Sequence, residues 1–207
     1  MIKAVIFDFG GVLWRTEDNT GRRHQEQKLG LAPGEAEQIV FNSEMGRQAQ
    51  RGEVTTAALW QWVGRYLHLS PEELAAFRHD FWRGDVLDET LVTLLQTLRP
   101  FCQTALISNA FDNLRSVLRE QLDIAHLFDL IVISAEEKIM KPDRRIYETT
   151  LQRLGRRPEE TIFIDDFARN VAGARAAGMH AIQFTPGIDL RAELSRFGLP
   201  PGAITEP

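Results

Sequence analysis

The stretch Val5-Ile6-Phe7-Asp8-Phe9-Gly10-Gly11-Val12-Leu13 decides the fold. Its apolar run shows no period-2 alternation, stops at one carboxylate and is followed by two glycines. Such a run reads as a strand buried on both faces of a parallel sheet, with a buried helical segment as the alternative. Its brevity and the glycine pair favour the strand. Open α/β sheets bind ligands just beyond the carboxyl ends of their strands, so Asp8 would stand at the mouth of a site. Gly10 and Gly11 let backbone amides come close to a ligand. Taken alone, the stretch also fits a strand closing on a solvated aspartate before a turn.

Working outward, the chain repeats the strand signal after residue 100. Thr104–Ile107, Phe128–Ile133, Thr161–Ile164 and His180–Phe184 read as strands. Between them lie helical patterns over Asn113–Gln121, Arg145–Leu154 (ended by Gly155) and Val171–Ala177 (ended by Gly178). This alternation predicts βαβ units and a Rossmann-like parallel sheet with helices on both faces. The first strand, residues 2–7, belongs to the same sheet, yet the second arrives only near residue 103. The intervening residues 15–84 read as wholly helical, with helices over Glu35–Gln50, Thr55–Leu67 and Pro71–Trp82. Ser70, Pro71 and Glu73 form a helix-start signal for the last of these. The expectation is therefore a catalytic core of residues 1–14 and 85–207, carrying a helical cap at 15–84. Trp60, Trp62, Phe77, Phe81 and Trp82 read as the core of that cap. Arg22-Arg23-His24 reads as a solvated helix face, and the tail from Leu199 as frayed.

With 43% hydrophobic and 26% charged residues, the 207-residue chain has the composition of a soluble globular protein. A single cysteine, Cys102, excludes an internal disulfide framework, fits a reducing cytoplasm and reads as structural. The net charge of −5 disfavours nucleic acid and acidic membrane surfaces as partners. No run has the length of a membrane span, and residues 1–20 lack the marks of a secretory signal. The expected setting is cytoplasmic, as a monomer or homodimer.

Four positions at strand ends or loops carry polar chemistry in order: Asp8, Ser108-Asn109, Lys141-Pro142 and Asp165-Asp166. Two adjacent carboxylates at a buried strand end repel each other unless a cation compensates. Oxygen ligands of this hardness select Mg2+. The order and spacing resemble the haloacid dehalogenase superfamily with a helical cap between its first and second motifs, from Ile2 to about Phe184. The resemblance implies that Asp8 is a nucleophile forming an aspartyl phosphate. It makes Ser108, Asn109 and Lys141 the groups that hold the phosphoryl oxygens and stabilise their charge. Asp8, Asp166 and the main-chain carbonyl of Gly10 would ligate Mg2+, with Asp165 and Asn170 in support. Asp143 reads as the N-cap of the following helix.

One position departs from the pattern. Most phosphatases of this superfamily carry a second aspartate two residues after the nucleophile as general acid and base, where this chain has Gly10. Loss of such a group costs about 10²–10⁴-fold when leaving-group protonation limits the rate. Three readings follow. One is a Mg2+-dependent phosphatase of a small phosphorylated metabolite, similar to bacterial sugar-1-phosphate phosphatases, whose leaving group needs little protonation. Another is a 2-haloacid dehalogenase, and the third a phosphate-binding regulatory protein with little turnover. The intact Asp165-Asp166 pair favours the phosphatase, because dehalogenases use no metal and bare carboxylates would repel a haloacid. Specificity residues are expected near the cap entry at Trp14, Arg15, Glu17 and Asp18, or at Arg47 and Arg51.

Overall fold

The computed structural model describes residues 1–199. A five-stranded parallel sheet is built from β1 (Ala4–Phe7), β4 (Gln103–Ser108), β5 (Leu130–Ile133), β6 (Thr161–Asp165) and β7 (His180–Gln183). Its order is β5-β4-β1-β6-β7. The chain moves outward from β1 through β4 to β5, then crosses back to add β6 and β7 on the other side. The connections reverse at β1, which places the open crevice over its carboxyl end.

The buried strands pack on both faces. Val5 and Phe7 join Leu106, Ile162 and Ile164 in a cluster that includes Leu91, Leu94, Leu95 and Leu98 of helix Glu89–Leu98. Ala4 and Ile6 face the other way, with Ile107 and Phe163, against Ile146, Tyr147 and Leu151 of helix Arg144–Leu154. The α/β core with helices on both faces is thus as read from the sequence. Leu199 is a correction: it is buried in the first of these clusters rather than frayed. The rest of that tail lies outside the described residues.

The insert differs from its sequence reading in two ways. It is not wholly helical: β2 (Trp14–Thr16) pairs antiparallel with β3 (Asp85–Leu87), a two-stranded ribbon through which the chain leaves and re-enters the core. These segments are short, and their pattern is intelligible only once paired across 70 residues. Within the insert, helix Thr20–Leu29 carries the Arg22-Arg23-His24 run, and the expected helix 35–50 is broken. Ser43 leaves the helical conformation and caps helix Glu44–Gln50, its side chain accepting from the Gly46 N–H. Helices Thr56–Tyr66 and Pro71–Trp82 form as expected, the second opened by the Ser70–Glu73 capping box. Phe77, Phe81 and Trp60, at 1–3% exposure, centre a separate apolar cluster. Each such burial contributes about 1.5–3 kcal/mol, so the insert has a core of its own.

Arg22 is a second correction. It is buried, its guanidinium stacked 4.5 Å from the Phe81 ring centroid and paired with Asp85 at 2.8 Å. It also donates to the Phe81 carbonyl and pairs with Glu37. Arg23 and His24 are exposed, as read. The insert is clasped onto the core: Ser134 Oγ donates to the Gln50 carbonyl at 2.6 Å, and Asp112 accepts from the Thr56 N–H at 3.1 Å. No helix among the described residues is long and apolar enough to cross a membrane.

Candidate active site

Asp8 follows the last residue of β1, between Ser108 at the end of β4 and Asp165 at the end of β6. Its N–H bonds the Ile164 carbonyl at 2.8 Å, which holds the residue in register as the strand ends. Oδ1 accepts from the Phe9 N–H at 2.7 Å and from Lys141 Nζ at 2.8 Å. Oδ2 has no donor among the described residues. A carboxylate anchored at one oxygen and open at the other is oriented for attack. Burial lifts the Asp8 carboxyl to about 8; Lys141 opposes the rise and Asp165 adds to it.

Lys141 is enclosed and satisfied at all three protons, by Asp8, by Asp165 Oδ2 at 2.6 Å and by the Ile107 carbonyl at 2.9 Å. A cation so placed bridges β1, β4 and β6 and offsets the charge of two carboxylates. The loop that carries it is held by Asn109, a role the sequence reading did not foresee. The Asn109 amide donates one N–H to the Lys141 carbonyl at 2.9 Å while its oxygen accepts from the Lys141 N–H at 2.8 Å. That pairing spans 32 residues, so nothing local in the sequence announced it. The peptide joining Lys141 to Pro142 is cis, and Asp143 caps the next helix by accepting from the Arg145 N–H. The Ser108 hydroxyl, nearly buried, bonds none of the described residues and is the donor left for an anion.

Asp165 and Asp166 divide their tasks. Asp165 is fully buried and surrounded by donors: Lys141, the Phe167 N–H at 2.8 Å and the Asn170 amide at 3.0 Å to each oxygen. Asp166 Oδ1 is buried with no hydrogen-bond partner among the described residues, and burial followed by Asp165 raises its pKa. An orphaned carboxylate oxygen in an interior is costly unless a cation meets it. One carboxylate oxygen each from Asp8, Asp165 and Asp166 lie within 4.8 Å of one another. With Asp165 occupied by donors, Asp8 and Asp166 are the free pair, and this donor set fits a hard divalent cation. Asn170 Oδ1 is a second buried orphan beside them. Gly11 makes the cluster possible. At φ +81° it takes a conformation that favours glycine, and a Cβ there would lie 2.3 Å from Asp166 Oδ2. Gly10 is different: a Cβ would meet nothing within 4 Å, so this position can hold a side chain.

A cavity of about 340 Å³ opens beside Gly10, Ser108 and Asn109. Of the cap-entry candidates only Trp14 lines it. Arg15 pairs with Asp88 at 2.5 Å, Glu17 lies 3.9 Å from Arg15, and Asp18 accepts from the Thr20 N–H. Arg47 and Arg51 are paired with Glu44, and Arg51 also with Glu53. Trp60, buried in the cap core with Phe77 and Phe81 as expected, also lines the cavity, as does the partly buried Trp82 packed against that core. The available signal was that three of the four tryptophans fall at residues 14, 60 and 82, just where the insert meets the crevice.

A family model of haloacid dehalogenase-like hydrolases matches residues 2–178. The chain belongs to that family. This haloacid dehalogenase-like hydrolase is 30% identical over 197 residues to a sesquiterpene phosphatase of Aspergillus oryzae, covering 93% of the chain and 94% of the relative. It is 26% identical to a drimenol cyclase of Aspergillus calidoustus, of which it spans only 37% while 97% of the chain is matched. Among solved structures, a haloacid dehalogenase family enzyme of Bacteroides thetaiotaomicron, complexed with magnesium and inorganic phosphate, superposes with a TM-score of 0.74. That match covers 91% of this chain and 96% of the other at 23% identity, and establishes the shared fold.

Proposed function

We propose that this hydrolase is a Mg2+-dependent phosphomonoesterase that works through an aspartyl phosphate at Asp8 on a small phosphorylated metabolite. The observation that carries the reading is the orphaned Asp166 Oδ1 beside the open oxygen of Asp8. Asp8, Asp166 and the Gly10 carbonyl would hold the ion, which when bound would supply positive charge to offset the repulsion between the carboxylate and the phosphoryl group. The Asp8 carboxylate attacks phosphorus, the bond to the ester oxygen breaks, and water later hydrolyses the acyl phosphate to return Asp8. Ser108 donates to a phosphoryl oxygen, and Lys141 lowers the repulsion between the two anions. Asn109 and Asp165 position Lys141, and Asn170 supports Asp165. The insert at residues 15–84 acts as the cap that shields the site. Similarity to a sesquiterpene phosphatase along almost the whole chain supports phosphate-ester hydrolysis.

A panel of phosphorylated metabolites assayed with Mg2+ and with EDTA tests this reading. Mg2+ should restore activity lost to chelation, and Asp166→Ala should reduce it more than Asn170→Ala. Release of halide from 2-haloacids, indifferent to EDTA, would overturn the phosphatase in favour of a dehalogenase.

A further inference from the structure

The cavity beside the nucleophile is lined by Phe9, Trp14, Phe41, Trp60, Trp82 and Phe111, contributed by both core and insert. The rings hold one another in place. Phe9 stacks on Trp14 at 6.0 Å and 10°, Phe41 on Phe111 at 5.7 Å and 16°, and Trp82 meets Phe41 edge-on at 5.7 Å. Its volume is at the lower end of the range, about 300–1,000 Å³, that takes small ligands. It is continuous with the phosphoryl site, since Gly10, Ser108 and Asn109 form part of its wall.

Polar side chains in that wall are outnumbered by apolar ones, and some are already engaged. Thr56 bonds Asp112, Asn113 accepts from Thr56, and the Asn109 amide is clasped to the Lys141 loop. Arg78 lies over Trp60 at 5.1 Å, and Gln121 is exposed at the rim. A polyhydroxylated sugar would bury several hydroxyls here without partners, each a substantial loss. An apolar skeleton loses nothing and gains the burial of its surface.

We propose that this aromatic cavity is the leaving-group subsite and that the substrate is the monophosphate of an apolar alcohol, not of a sugar or polyol. The inference rests on the phosphatase reading above and specifies its substrate class. Asp8 attacks phosphorus, and the electron pair of the breaking P–O bond goes to the alcohol oxygen, which takes its proton from water. The alcohol is left in the aromatic cavity, and a second water hydrolyses the acyl phosphate to release inorganic phosphate.

The comparison is between geranyl phosphate and glucose 1-phosphate, each with saturating Mg2+. Glucose 1-phosphate carries the better leaving group, so a preference for geranyl phosphate cannot arise from the chemical step. The expected result is kcat/KM at least about tenfold higher for geranyl phosphate, with geraniol inhibiting competitively. Trp82→Ala should lower that ratio by about tenfold, chiefly through KM. An equal or reversed preference with no inhibition by geraniol would overturn the proposal and leave the phosphatase reading intact. If no phosphate ester is turned over, the phosphatase reading fails. The cavity is then judged by tryptophan fluorescence: saturable quenching by geraniol upholds an apolar subsite, and its absence overturns it.

Discussion

Gly10 stands two residues after the nucleophile, where a proton-donating carboxyl would assist the departing oxygen. The residues lining the neighbouring cavity include no carboxyl or imidazole side chain that could replace it. The rate should therefore depend steeply on leaving-group basicity, with aryl phosphates turning over much faster than phosphates of primary alcohols such as glycerol 3-phosphate. Because a Cβ at Gly10 meets open space, Gly10→Asp should fold normally. It should raise kcat for glycerol 3-phosphate by up to about 10²–10⁴-fold while changing aryl phosphates little. A flat leaving-group series in the natural protein would mean that some other group delivers the proton. Asp8 itself carries a pH prediction. Burial raises its carboxyl from 3.8 to about 8 against the pull of Lys141, so without a cation it should take up a proton as pH falls through that range. The unfolded carboxyl ionises first, so the metal-free protein should lose stability as pH rises from about 4 toward 8. Mg2+ must displace that proton, so its apparent affinity should climb about tenfold per pH unit below 8 and level off above. Calorimetric titrations in two buffers would count the proton released; affinity unchanged between pH 6 and 9 would show Asp8 already ionised. Asp8, Ser108 and the Asp165-Asp166 pair were legible because each stands where an apolar strand stops, and Lys141 by its place in their order. The clasp of Asn109 on the Lys141 loop was not, because its two ends lie far apart in the chain.

The ribbon of β2 and β3, tied to helix Thr20–Leu29 through Arg22 and Asp85, shows how a polar pattern conceals a structural role. Arg22 stands beside Arg23 and His24 in a basic run, and only the folded ribbon brings Asp85 and the Phe81 ring to it. Burial raises the Asp85 pKa even with Arg22 present, so desolvation outweighs the pairing there. Removing one partner then leaves an uncompensated interior charge. Arg22→Ala should destabilise the protein by about 3–5 kcal/mol in denaturant titrations, and the double replacement Arg22→Met with Asp85→Leu should recover much of the loss. Equal losses in the single and double variants would mean that packing of the arginine stem, rather than charge, matters at this joint. The broken helix at Ser43 makes a related point about elements. Apolar periodicity runs on through residues 35–50, while the Ser43 cap on the Gly46 N–H ends one helix and starts the next.

At the scale of the whole molecule, the sheet and the order of its motifs were readable from apolar runs and glycine stops, since both are local signals. The face that the insert presents to the crevice was not, because Trp14, Trp60 and Trp82 come from three separate segments and meet only in the fold. What the assembly achieves is a carboxylate at the end of β1 with one oxygen anchored by Lys141 and the other open, next to an acid that lacks a partner. The central claim is that this carboxylate becomes phosphorylated. Rapid mixing with p-nitrophenyl phosphate and Mg2+, acid quenching and peptide mass spectrometry would measure it directly. The account predicts a transient adduct of one phosphoryl group on Asp8, absent from Asp8→Asn together with turnover. Product release at full rate with no adduct, or an Asp8→Asn protein that still turns over, would contradict it.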